Sequence, residues 1–122
     1  MSLNAYRQAA SRAETPREME YRLFAEVTLA LIEASKLDPS DVGGRVDALD
    51  WNRRLWTTLS DDCSRTDNGL PKPLRASIIS LALWVGRHTS LAIRNGDEIQ
   101  SLIDVNRIIM QGLAPNPAAV AA

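Results

Sequence analysis

Apolar side chains recur three and four positions apart in four separate runs between residues 15 and 113, and no run alternates convincingly in the way of a strand. The first, "TPREMEYRLFAEVTLALIEASK", opens with a capping box: Thr15 can cap, Pro16 suits the first helical position, and Glu18 can reach back to the cap amide. Met19, Leu23, Val27, Ala30 and Ala34 follow at helical spacing, flanked by Phe24 and Leu31, and Asp38-Pro39 stops the run. The second extends from about Asp41 or Arg45 to Cys63. Its stripe is Leu49, Asn52, Trp56, Leu59 and Cys63, with Ala48 and Leu55 alongside, and "SRTDNGLPKP" closes it as a loop.

The third run, from about Leu74 to Arg94, is unusually apolar. Leu74, Ile78, Leu81, Val85 and Ala92 form one stripe; Ile79, Leu83 and Gly86 form a second, rotated away from it; Trp84 and Leu91 extend the other edge. Such a helix is either buried by several neighbours or awaits a partner. Asn95-Gly96 predicts a left-handed stop. The fourth run begins at Asp97 with Gln100 in the capping-box position, carries Ile99, Leu102, Asn106, Ile109 and Leu113, supported by Ile103 and Met110, and ends at Gly112. The expectation is an all-α protein: a small antiparallel bundle of about four helices forming one domain over 1–122. Residues 1–14 are a polar lead-in whose one aromatic is Tyr6, and 114–122 a small, Pro-broken, flexible tail.

Composition narrows the chemistry. Acidic and basic side chains nearly cancel, for a net charge of −1, whereas phosphate neutralisation usually gives a nucleic-acid binder a basic excess. One Cys and one His exclude a disulfide framework and argue against a zinc site within the chain, so neither metal nor cofactor is expected. With no apolar leader and no apolar run approaching the ~20 residues of a bilayer span, the expected setting is cytoplasmic, off the membrane.

Few groups suit catalysis, and an enzyme is not expected. His88 sits at the edge of the third stripe and Cys63 lies on the second, both suited to packing. Asp61 and Asp62 point about 100° apart on a helix, and Gly43-Gly44 lacks a phosphate-loop pattern. The stretch "DWNRRLW" sets Arg53 and Arg54 between two tryptophans, which would suit RNA, yet helical phasing turns both arginines outward. Trp51 falls at the flank of the stripe, partly exposed, as an interface anchor would. Asn52 and Asn106, the latter in the echo "DVNRIIM", stand where hydrophobes belong; both are expected to be structural polar groups hydrogen-bonded between helices.

The series "TPREME", "ALDWNRRLWTTLSDD", "NGLPKPLRASIISLALWVGRHT" and "LIDVNRIIMQGL" resembles the FlaF family of alphaproteobacterial flagellar proteins over about residues 5 to 113. The resemblance implies a small cytoplasmic factor in flagellum assembly, tied to flagellin production and export, opposed by the regulator FlbT and able to bind flagellin. It carries no catalytic residues. Ala5-Tyr6 followed by Thr15-Pro16-Arg17-Glu18-Met19 is also similar to the opening of FliS-type flagellin chaperones, which suggests Tyr6 as a plug over an apolar groove.

Two mechanisms are therefore expected to compete. In the first, a spare apolar stripe takes a terminal helical segment of flagellin, with Ile79, Leu83 and Trp84 as the surface and Trp51 and Met110 as rims. In the second, the protein regulates flagellin expression through messenger RNA or FlbT, with direct nucleic-acid binding disfavoured by charge. A homodimer through the same stripe is compatible with either.

Overall fold

The computed structural model describes residues 14–113 together with Leu3; these residues form four α-helices and no strand. Helix α1 spans Pro16–Ser35, α2 Val42–Cys63, α3 Lys72–Arg94 and α4 Ile99–Leu113, with a 3-10 turn at Gly96–Glu98 before α4. The expected all-α bundle is the one observed.

Local chemistry starts each helix. Thr15 is extended, its hydroxyl accepts the Glu18 N–H at 3.1 Å, and Glu18 Oε2 accepts the Thr15 N–H at 3.3 Å, so the capping box is complete. Asp41 caps α2 by accepting the Gly44 N–H at 3.0 Å. Helix α3 starts at Lys72, just ahead of the expected Leu74, because Pro73 is tolerated in a first turn whose amides have no intrahelical partner.

Three local expectations are corrected. Asn95 is extended, at φ −135° and ψ 106°, and no described residue has positive φ, so α3 does not end in a left-handed residue. Instead the Asn95 side chain accepts the Asp97 N–H at 3.1 Å and opens the 3-10 turn. That turn delays α4 to Ile99, which puts Gln100 too early to close a box; it donates to Asp104 at 2.9 Å instead. Gly112 does not end α4, which continues to Leu113. A Cβ there would meet a Leu74 methyl at 3.0 Å, so this glycine allows α3 and α4 to approach closely.

Helix α1 packs on α2 and α4, and α2 along α3; the α3–α4 seam is much the thinner. The core gathers Phe24 and Leu31 from α1, Leu49, Trp56 and Leu59 from α2, Ile78 and Val85 from α3, and Ile99, Leu102 and Leu113 from α4. Phe24 meets Trp56 edge-to-face with centroids 5.5 Å apart, a pairing worth about 0.5–1.5 kcal/mol beyond its area. These two set the rotation of α1: its buried face is Phe24, Val27, Thr28, Leu31 and Ala34, while Met19, expected in the stripe, is exposed.

Candidate functional site

Asn52 and Asn106 are both fully buried and bonded to each other, Asn106 Nδ2 donating to Asn52 Oδ1 at 2.9 Å. The second hydrogen of that amide goes to Thr28 Oγ1 at 3.1 Å, and Asn106 Oδ1 accepts from Trp56 Nε1 at 2.8 Å. Thr28 then donates to the sulfur of Met110 at 3.8 Å. An indole N–H can only donate, so it fixes the Asn106 amide, which fixes Asn52 in turn. The network joins α1, α2 and α4 and leaves Asn52 Nδ2 without a partner among the described residues. Both asparagines are thus interhelical hydrogen-bonders, and Thr15 and Glu18 hold the helix start expected of them.

The stretch around "DWNRRLW" divides by direction. Asn52 and Trp56 are buried, while Arg53 and Arg54 are exposed and both bind Asp50, at 2.9 Å each. One carboxylate thus occupies both guanidinium groups on the surface. Trp51 is 43% exposed and forms one wall of an open cleft of about 370 Å³ on the α1–α2 seam. Ala30, Ala34 and Ala48 leave the space, Leu37 lies opposite over Gly44, and Glu33 and Asp47 complete the lining.

Helix α3 behaves unlike the others. Ile78, Val85, Thr89 and Ala92 are buried. Yet only 22% of its most apolar 18-residue stretch is buried, and by length and composition it is the one helix among the described residues that could cross a membrane. The sequence expectation that no segment reaches that length and apolarity is corrected. Its packing along α2 accounts for one face only. Leu83 is 67% exposed and Leu91 53% exposed, whereas Ile79 and Trp84 are half-buried against the core. Trp84 stacks on His88 at 4.5 Å, and His88 Nε2 lies 3.0 Å from the Glu98 carbonyl and 3.2 Å from its carboxylate.

The expected surface is therefore not a single patch. Ile79, Leu83 and Trp84 share α3, with Leu83 the most open, but Trp51 faces α1, and Met110 is tied to Thr28 between α1 and α4. Tyr6 lies outside the described residues.

A second cleft, about 400 Å³, opens between the start of α1 and the end of α2, with Arg17, Glu20, Asp62, Arg65 and Asn68 in its lining. Burial, reinforced by Asp62, raises the Glu20 pKa above its ordinary 4.5, against the pull of Arg17. Burial likewise raises the Cys63 thiol, reinforced by Glu20 and Asp62 and opposed by Arg75, which makes it a poor nucleophile. No group of three or more His, Cys, Asp or Glu side chains among the described residues could hold a metal ion.

Arg45 escaped the sequence reading. It is buried, donates to the Ile93 carbonyl at 2.9 and 3.3 Å and to the Pro39 carbonyl at 3.1 Å, and so caps the last turn of α3 from α2. Its signal was its phase, four positions before Leu49 on the buried stripe.

Fold and surface together define a small four-helix bundle that holds its register through buried amides and leaves Leu83 and Leu91 of its most apolar helix exposed. The family model "Flagellar protein FlaF" matches residues 2–113, nearly the whole chain. The chain belongs to that family, and with it to the biogenesis of the flagellum. No curated protein and no solved structure matches it.

Proposed function

We propose that this protein is a non-enzymatic, cytoplasmic flagellin-binding factor, which takes a terminal helical segment of flagellin on the outward face of α3 before export. The observation that carries this reading is the mismatch between composition and burial in α3, the long, apolar helix on which Leu83 and Leu91 stay exposed. A client helix laid along it would bury Leu83 and Leu91, and desolvating a leucine contributes about 1.5–3 kcal/mol. Leu91 lies seven residues beyond Trp84, two helical turns along one edge, the spacing at which an amphipathic helix presents its own anchors. Covering the client's apolar stripe would keep it from aggregating. The FlaF family supplies the flagellar context. In this reading, regulation of flagellin synthesis follows from whether the factor is occupied, through a regulator of the FlbT kind.

Direct contact with messenger RNA is the weaker reading, since Arg53 and Arg54 share Asp50 and the net charge is −1. Co-expression with flagellin followed by size-exclusion and calorimetry is the test. A stoichiometric complex is expected, and Leu83→Glu should abolish it while helical circular dichroism and melting stay near wild type. A complex that survives this change would remove the α3 assignment. No complex with the wild-type chain, together with a salt-sensitive gel shift on flagellin messenger RNA, would replace it with the RNA reading.

A further inference from the structure

The Trp51 cleft lies apart from the uncovered face of α3, and its chemistry differs. Small side chains on both helices, Ala30 and Ala34 facing Ala48, leave a recess, and Trp51 forms an aromatic wall still 43% exposed. The two charged groups of the lining, Glu33 and Asp47, are both carboxylates, and neither forms an ion pair among the described residues. No basic side chain of α2 is left to neutralise them. Arg45 is buried on the Ile93 and Pro39 carbonyls, and Arg53 and Arg54 are held by Asp50.

An indole face beside carboxylates, over an apolar floor, is complementary to a side chain with an aliphatic stem and a delocalised cationic head. Such a head would find the ring quadrupole and two acceptors at the rim, and the stem would cover the alanines. An uncharged apolar residue would fill the recess yet leave both carboxylates unpaired. We propose that this cleft is a second protein-docking site, which recognises an arginine presented by a partner protein, and that it acts independently of α3.

The probe is N-acetyl-arginine methylamide, titrated into the full-length protein at millimolar concentration while the indole N–H of Trp51 and the amides of Ala30, Gly44 and Ala48 are followed by NMR. The control is the citrulline analogue, which keeps shape and hydrogen bonding but has no charge. Saturable shifts confined to this cleft are expected with arginine, weakened at least about tenfold with citrulline, in Trp51→Ala and in the double variant Glu33→Gln/Asp47→Asn. Leu83→Glu should leave them unchanged, which separates this site from the flagellin reading. Equal response to the two analogues, or no response of the cleft, would overturn the proposal. So would a monomer–dimer equilibrium in sedimentation abolished by Trp51→Ala, which would assign the cleft to a second copy of the chain.

Discussion

Asn106 donates its side-chain amide to Asn52 at 2.9 Å, so two residues 54 positions apart, each in an Asn-Arg pair, meet in the centre of the bundle. The bond is directional. Trp56 supplies the hydrogen that orients Asn106, and Asn106 supplies the one that orients Asn52.

This order makes the two asparagines unequal. Asn106→Ala leaves the Trp56 N–H without its partner and opens a cavity, at an expected cost of about 2–4 kcal/mol in urea unfolding. Asn52→Leu strands one Asn106 N–H but removes the unpartnered Nδ2 and opens no cavity, so the loss should be smaller, about 1–2 kcal/mol. Equal losses would contradict the directional network.

Arg45→Met keeps the length of the stem but strips the Ile93 and Pro39 carbonyls of their donor, and should cost about 1–3 kcal/mol. Amide exchange locates the effect. Protection should fall first in the last turn of α3, and a uniform fall along the chain would assign Arg45 to general packing.

Glu20 should give the stability curve a recognisable slope. Its folded pKa is raised by burial and by Asp62, so the native state holds the proton more tightly than the unfolded chain does. The resulting penalty is absent below the ordinary 4.5, grows as pH rises from there to the folded value, and is complete above it. Glu20→Gln should therefore be the more stable protein at neutral pH, with the difference closing as pH falls toward 4.5. A gap that widens on acidification would reverse the sign.

Two glycines in helices predict opposite responses to one methyl group. Nothing lies within 4 Å of a Cβ at Gly86, so Gly86→Ala should gain about 0.5–1 kcal/mol from helix propensity. At Gly44 the same atom would meet a Leu37 methyl at 2.7 Å and the Asp41 carboxylate at 3.2 Å. Gly44→Ala should lose that gain and push Leu37 aside. Melting temperatures measure the first effect, and Trp51 fluorescence the second.

Helical phasing made much of this legible. It turned Asn52 and Trp56 inward, turned Arg53 and Arg54 outward and left Trp51 between, as observed. The Thr15–Glu18 cap was equally readable, because every group in it lies within one turn. Phase gives direction but not partner, so it could not place Met110 against Thr28 or bring Trp51 and Leu37 to one cleft. It also misled where a charged residue followed the stripe: Arg45 looked like a boundary because its burial depends on two carbonyls from distant turns. The Asn95 stop failed for a related reason, since its side chain serves the turn that follows it.

The buried amides carry a mechanical consequence. Helices α1, α2 and α4 share them: sliding α2 or α4 by one turn would strand the Trp56 N–H, and sliding α1 would strand the Asn106 hydrogen that Thr28 accepts. Helix α3 takes no part. Arg75 ties it to the Cys63 carbonyl near its start, and His88 and the Ile93 carbonyl tie it toward its end. Between Arg75 and His88 no hydrogen bond joins it to another helix among the described residues. Three helices are geared together and the fourth is sprung between two clips. Its middle is held by apolar packing alone, through the buried Ile78 and Val85, and on the opposite side that middle carries the exposed Leu83.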